Sequence, residues 1–530
     1  MSIFGIDLGT TYSAIAYVDE SGRPTIVQNT IDDSSNTMPS VVFFNGDAIE
    51  VGPQAKESIG SAPGQTVSFV KREMANADFA FTPTGGDRSY NAIEISGFIL
   101  AKIAQYAEAA TGKDVKQVVI TIPAYFGDLE RRATIEAGKF CGLDVRMLLN
   151  EPVAAAIAFS EGNPKAADGK VMVFDLGGGT FDVAIVDLKK KEVVCKGGDK
   201  FLGGKDWDEA VVNKIFIPKW QAGIKEKGGT PLSEEDIVKN PVIFNTWMLK
   251  AEQAKKNLSG ARGVARVSLE VEGFGNFSTE IKREEFDAAT EFLLDRTINM
   301  TRAMLAEAAE KEGVPEYKYD KILLVGGSTK MPQVAERLEK EFGFKPVVND
   351  PDLAVAKGAA IFADQLDTGV VTEGPLNDVF GKTYGTITED RGTNERYSAS
   401  MLLKQQPLSQ GTFTDTFYPK RDNQSGVLFE ITESDSCSWS EEIMKKTGAE
   451  AIEARRVDLL ETTVIGEVSL ALPPNTSKDE AISVTFSLTE NQTIKVIACL
   501  KNKPEVKIEA TIEPKGIAAP SRPMNADAIK

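Results

Sequence analysis

Residues 171–188 read VMVFDLGGGTFDVAIVDL. Two apolar, β-favouring segments flank three consecutive glycines, and an aspartate, Asp175, stands just before them. A glycine inside a strand weakens it, so three together need a reason. One reason is a hairpin turn. The other is a backbone that must lie against something negatively charged, because glycine lets successive N–H groups approach an anion closely. A second copy bears on the choice. Residues 4–19, FGIDLGTTYSAIAYVD, repeat the plan of apolar strand, Asp-Leu-Gly, Gly/Thr turn and apolar strand. Asp7 matches Asp175, Gly9 matches Gly177, and Thr11 matches Thr180 after one insertion. The copies lie 168 residues apart, which predicts two similar lobes, each giving one hairpin to a shared cleft.

The chemistry of such a cleft fits a nucleoside triphosphate. The turns offer backbone donors, and Thr10, Thr11 and Thr180 add hydroxyls. Asp7 and Asp175, one per lobe, are placed to hold a hydrated Mg²⁺, an ion that keeps several waters and takes few carboxylates. A Walker A loop fails, because the one GK[ST] is Gly381-Lys382-Thr383 and the glycine the motif needs five residues earlier is Leu376.

Composition narrows the classes further. The chain has 530 residues, 42% of them hydrophobic and 26% charged, which predicts two to four soluble domains. Its net charge of -18 argues against nucleic acid or an anionic membrane as partner. It has no histidine, which removes imidazole bases, His triads and His metal sites together. Cys141, Cys195, Cys437 and Cys499 form no CxxC and suit buried thiols in a reducing compartment. The N-terminus has no secretory pattern and no apolar run spans a bilayer, so the expected location is cytoplasmic.

Strand and helix patterns alternate through the first two-thirds. Strands are expected within 115–124 and 321–327, and helices over 129–140, 291–313 and 332–343, with glycine ending the last two. In LLVGGSTKMP (323–332), Gly326 and Gly327 end a strand before a helix begins near Pro332. AEQAKKNLS (251–259) sets Glu252, Lys255, Lys256 and Ser259 on one side of a helix; Glu252 and Lys256 form an i,i+4 pair, which an ordinary solvated face also explains. After about Asp367 the pattern shifts to period two, in 426–435, 462–474, 481–500 and 504–512, with a hairpin turn expected at Glu490–Asn491.

Taken together, the motifs resemble the heat-shock-protein-seventy family, the DnaK-type chaperones. The matching stretches are GIDLGTTYSAIA, VKRE around Lys71, TIPAYFGDLERRAT, LLNEPVAAAIAF, VFDLGGGTFDVAIVD, FLGGKDWD, AEQAKKNLS, LLVGGSTKMP and NDPDLAVAKGAA, in family order through residue 366. The resemblance implies an α/β actin-like two-lobed ATPase domain over 1–366, a linker over 367–383, a β-sandwich substrate-binding domain over 384–513 and a disordered tail over 514–530. It implies ATP/ADP and Mg²⁺ as cofactors. Lys71, Glu151, Asp175 and Thr180 take catalytic roles by position, and Asp182 matches a further acid near the metal. Gly9, Thr10, Thr11, Tyr12, Gly177, Gly178, Gly179, Gly203 and Gly204 line the phosphates. Glu252, Lys255, Lys256, Ser259, Gly326, Gly327, Ser328, Lys330 and Asp352 surround the adenosine. Pro123 and Arg131 match a relay to the second domain, where Phe417 and Val427 are candidate peptide-pocket residues, with plain core as their other reading.

The sequence departs from the family in several places. Lys330 stands where arginine is usual and lacks its plane for packing on adenine. Lys205 replaces glutamate, the stretch from Lys71 to Pro123 is short, TITEDRG (386–392) is charged where apolar residues are usual, and the leucine-rich linker is reduced to Val370-Val371. A helical lid is not expected after residue 513. The expected function is an ATP-dependent chaperone that binds and releases unfolded or extended polypeptides, with a J-domain co-chaperone and a nucleotide exchange factor as partners the family implies. A nucleotide-gated adaptor with one dedicated partner is the alternative, and a small-molecule kinase on the same fold lacks a marked acceptor site.

Overall fold

A computed structural model describes residues 3–162, 169–190, 192–370, 378–489, 492–512, 520 and 522–530. The hairpin at 171–188 forms as read. Lys170–Leu176 pairs antiparallel with Phe181–Asp187, and every residue of the second strand is buried. Outside them lie Glu192–Asp199 on one side and the parallel strands Lys321–Val325 and Val347–Val348 on the other. The N-terminal copy builds the same sheet. Phe4–Asp7 pairs antiparallel with Tyr12–Val18, which is followed outward by Pro24–Ile26; the parallel strands Gln117–Ile122 and Asp144–Asn150 lie on the other side. Strand order and polarity agree in the two sheets, so the sequence repeat is a repeat of fold.

Two helices, Glu151–Gly162 and Ala354–Asp367, share one core with residues of both sheets, including Val119 and Leu149 of the first and Val173 and Leu323 of the second. The helices approach closely because the contact residues are small. A Cβ added at Gly358 would lie 1.8 Å from the Ala154 carbonyl oxygen. A separate three-stranded sheet, ordered Ala48–Val51, Val41–Asn45, Thr66–Ser68, shares the core of the first α/β unit. The expected helices appear at Asp128–Phe140, Arg283–Glu312 and Pro332–Phe342, and the last two end on Gly313 and Gly343 in the left-handed region.

The two sheets of the C-terminal part are antiparallel throughout. One sheet runs Arg456–Val457, Arg396–Leu402, Thr383–Glu389, Gly426–Ser434, Thr462–Ala471; the other runs Phe413–Phe417, Ile482–Leu488, Ile494–Leu500, Lys503–Thr511. Both give side chains to one core, with Ile431 and Ile465 from the first and Val484 and Val496 from the second. The turn expected at Glu490–Asn491, and most of the linker from Val371 on, lie outside the described residues. The charged stretch TITEDRG ends a strand and enters a turn: Thr386 is buried, and Asp390 accepts from the Gly392 and Thr393 amides.

Two expectations differ from what the structure describes. The tail expected to be disordered has partners at its end: Ile529 is buried and bridges Ile49, because an apolar side chain there meets an open strand edge. Of the cysteines, Cys195 is buried and the other three are half-buried, all four with free thiols. Among the described residues, no helix is long and apolar enough to cross a membrane.

Candidate functional site

The two glycine turns meet. A Cβ added at Gly178 would sit 1.9 Å from the Thr11 hydroxyl oxygen, and one at Gly179 would sit 2.2 Å from Thr10 Cγ2. A larger residue at either position would drive the hairpins apart, which is the physical need for two of the three glycines; a Cβ at Gly177 would meet its nearest neighbour only at 3.5 Å. The Gly177 amide donates to the Thr180 carbonyl at 3.0 Å and closes its turn. Between and around the turns lies a cavity of 780 Å³. This volume falls in the range of sites that enclose a cofactor-sized ligand.

The cavity gathers nearly all of the residues proposed from sequence. From the first unit come Asp7, Gly9, Thr10, Thr11, Tyr12, Lys71 and Glu151. From the second come Asp175, Gly177, Gly178, Thr180, Gly204, Glu252, Lys255, Lys256, Ser259, Gly326, Gly327, Ser328, Lys330 and Asp352. Gly179 and Gly203 stand behind the wall. A Cβ at Gly203 would lie 2.5 Å from the Gly179 backbone, so Gly203 lets the helix Gly204–Val211 seat against the turn. That helix delivers two amides: Gly204 donates to the Gly177 carbonyl at 3.0 Å and Lys205 to the Gly178 carbonyl at 2.7 Å.

Thr10 and Thr11 carry buried hydroxyls for which the structure provides no hydrogen-bond partner. An unpaired buried hydroxyl costs on the order of 1–3 kcal/mol, so both are poised for an acceptor from the cavity. Lys71 is 5% exposed and pairs with Glu151 at 2.5 Å. Asp7 ends its strand and accepts from the Thr121 hydroxyl at 3.1 Å. Burial first, and Glu151 second, push the Asp7 carboxyl up to about 7. The same causes, with Asp182 and Asp7 added, raise Asp175 well above the carboxylate range. Asp182 is raised by burial and Glu151; one of its oxygens accepts from the Ala124 amide at 2.6 Å and the other has no partner. Carboxylates crowded in this way favour a bound cation, which would return them to the ionised form.

At the far wall, Glu252 accepts from Lys56 at 2.7 Å, Lys256 at 2.7 Å and the Tyr12 hydroxyl at 3.2 Å. Burial opposes its ionisation, but the two lysines hold its carboxyl down at about 2. Lys255 reaches the other way, to Asp208 and the Gly204 carbonyl at 2.8 Å. Ser259 back-bonds to the Lys255 carbonyl, and Lys330 pairs with Asp352. The Ser328 hydroxyl donates to the Gly177 carbonyl at 2.8 Å, tying the LLVGGSTKMP turn to the glycine hairpin.

Several contributors carry no role in the sequence reading. Arg72 donates to the Gly179 carbonyl at 2.7 Å and pairs with Asp206 at 2.6 Å, joining the two α/β units beside the turns. Arg72 and Asp206 lie inside the stretches VKRE and FLGGKDWD, so their motifs were visible but their pairing across 134 residues was not. Lys56 belongs to no motif, and nothing local marks it. Lys205, marked in the sequence by its replacement of a glutamate, lines the cavity with its amine 4.7 Å from the Phe69 ring centre.

Pro123 is buried in the turn after Gln117–Ile122. Arg131 donates to Asn150 at 3.2 Å and to Gln492 of the C-terminal part at 3.2 Å, so one side chain touches both regions. Asp128 accepts from the Ile494 amide at 2.7 Å, and Glu433 accepts from the Asp128 amide at 3.1 Å. Phe417 and Val427 are half-buried on opposite sheets and pack on the C-terminal core; the Phe417 ring lies 6.0 Å from that of Phe429.

A family model described as Hsp70 protein matches residues 3–82 and 75–522. A chaperone protein DnaK of Mycoplasma mobile is 36% identical over 442 residues, covering 82% of this chain and 68% of the relative. One from Mesomycoplasma hyopneumoniae is 33% identical over 539 residues, covering 97% and 85%. One from Halobacterium salinarum is 34% identical over 504 residues, covering 94% and 72%.

Proposed function

The chain belongs to the Hsp70 family of ATP-dependent molecular chaperones, which hydrolyse ATP, and on that premise we propose how its own residues divide the work. Residues 1–366 form an actin-like ATPase domain of two lobes, 367–383 a linker, 384–513 a β-sandwich that holds an extended polypeptide, and 514–530 a tail. ATP lies in the cavity between the hairpins, its phosphates against the turns at 9–12 and 177–180. Its adenosine lies between Glu252, Lys255, Lys256 and Ser259 on one side and Gly326, Gly327, Ser328, Lys330 and Asp352 on the other. The observation that carries this reading is the meeting of two glycine turns around two unpartnered threonine hydroxyls.

Asp7 and Asp175 would hold Mg²⁺ through waters, and the ion would neutralise charge on the phosphates. Lys71 stabilises the charge that spreads over the transferring phosphoryl group, which is the main task in this chemistry. Glu151 orients the attacking water, and Thr180 donates to a phosphate oxygen. Water forms the new bond to phosphorus as the bond to the bridging oxygen breaks, giving ADP and phosphate. Because Lys71 already pairs with Glu151, a phosphate that draws Lys71 away frees the carboxylate for that water.

Pro123 and Arg131 pass the state of the cavity to the β-sandwich, where Phe417 and Val427 belong to the peptide pocket. The Arg131 contacts to Asn150, next to Glu151, and to Gln492 support this route. Coupling of this kind is reciprocal: if ATP weakens polypeptide binding, polypeptide weakens ATP binding by the same factor. The test is ATP turnover with and without unfolded peptides, on the full chain and on Lys71→Ala. Peptide-stimulated turnover that falls about 10²–10³-fold in the variant, with ATP still bound, supports the assignment. Unchanged turnover in Lys71→Ala would overturn it.

A further inference from the structure

The three-stranded sheet that shares the core of the first α/β unit has an edge at Ala48–Val51. Such an edge presents unpaired backbone groups that an extended segment can join. Here it is taken. Ile529 bridges Ile49 in the parallel sense, the Lys530 amide donates to the Ile49 carbonyl at 2.9 Å, and the Val51 amide donates to the Lys530 carbonyl at 3.3 Å. Ile529 is 6% exposed and belongs to the core of the first α/β unit, with Met524 and Ala528 packed on the same core. Upstream, Pro520, Pro523 and Met524 face Phe140 and Cys141 across a cavity of 490 Å³, at the end of the helix Asp128–Phe140. The opposite end of that helix is where Asp128 meets Ile494 and Glu433. The C-terminal sheets and the segment that follows them therefore contact one helix at both ends.

We propose that the edge of Ala48–Val51 is a strand-addition site for an extended apolar segment, and that residues 522–530 of the same chain fill it as a latch. Backbone pairing supplies the register and the Ile529 pocket supplies the preference, the division of labour seen when a peptide joins a sheet edge. The latch closes the C-terminal β region onto the first α/β unit without touching the nucleotide cavity.

The experiment uses the full chain, an Ile529→Asp variant and a labelled synthetic peptide of residues 520–530. Hydrogen exchange over 48–51 should speed up about tenfold or more in the variant, as expected when a buried isoleucine is replaced by a charge. The added peptide should bind the variant about tenfold or more tightly than the intact chain, whose site is taken, and should restore protection at 48–51. A peptide carrying aspartate at the Ile529 position should do neither. Lys530→Pro removes the donor to Ile49 without changing the core, and should repeat the exchange result. Unchanged exchange at 48–51 in both variants overturns the proposal, as does equal peptide binding to variant and intact chain. Protection that rises with protein concentration, together with a dimer in sedimentation, would place a second copy's segment on the edge and overturn the assignment to the same chain.

Discussion

Replacing Asp378 with alanine tests how the C-terminal β region is joined to the α/β units. Asp378 is 6% exposed, and its two oxygens receive the Lys196 ammonium at 3.0 and 3.1 Å. It also accepts from the Asn150 amide and from the Val379 amide. One carboxylate thus gathers a lysine of the second unit, an asparagine of the first and the entry to the C-terminal strands. Lys196 is 2% exposed, and burial already lowers its pKa against the pull of Asp378. Without the carboxylate its charge loses its ion pair and keeps only the weaker pull of Asp182. Breaking one partner of a buried pair costs about 3–5 kcal/mol. The amine can limit that cost by giving up its proton. Its pKa in the folded variant then lies below the unfolded value near 10.5, so the unfolded state binds more protons and the variant gains stability as pH rises. The defect should therefore be largest near pH 7 and shrink toward pH 10. Urea unfolding at several pH values measures it, comparing the midpoint of the transition that includes the C-terminal sheets, since a chain of several units need not unfold in one step. Lys196→Met in the Asp378→Ala background should recover most of the loss. A loss under about 1 kcal/mol at pH 7, or one that does not shrink with pH, would refute the reasoning.

Other consequences are open to measurement. Gly178→Ala places a Cβ 1.9 Å from the Thr11 hydroxyl and should lower ATP affinity by about tenfold or more in calorimetry, since the hairpins must part. Glu433 is held up at about 7 by burial and by Glu130, so the stability its buried protonated carboxyl lends the fold is complete below about pH 4.5 and lost as pH rises through 7, although the hydrogen bond from the Asp128 amide favours the ionised form; the urea midpoint should fall across that window, and Glu433→Gln should flatten it. Lys330→Arg should tighten ATP binding a few-fold, about 0.5–1 kcal/mol, if a planar cation at this half-exposed position packs on the base; unchanged affinity would remove Lys330 from the adenine wall.

What the sequence revealed follows from the range over which each interaction acts. The hairpins were legible because their signals are local: an alternation of apolar residues, an aspartate at the strand end, and glycines where a second turn comes within 1.9 Å. The duplication added a global constraint, since two copies of one turn predict two copies of one sheet, and strand order and polarity do agree. Pairings such as Arg72 with Asp206, Lys56 with Glu252 and Lys196 with Asp378 span 134, 196 and 182 residues. No periodicity encodes them, because a charge on a helix or loop reads the same whether it faces solvent or a partner brought by the fold. The tail shows the opposite limit. Its composition, rich in proline and small residues, reads as unstructured, and for most of such a segment nothing local resists that reading. A single isoleucine is enough to change the outcome when a sheet elsewhere leaves an edge open and a pocket beside it, and that edge is a property of the folded first unit alone. Residues 522–530 therefore owe their place to the surface they meet. A perturbation confined to the edge at Ala48–Val51 should release them even with every residue of the tail intact.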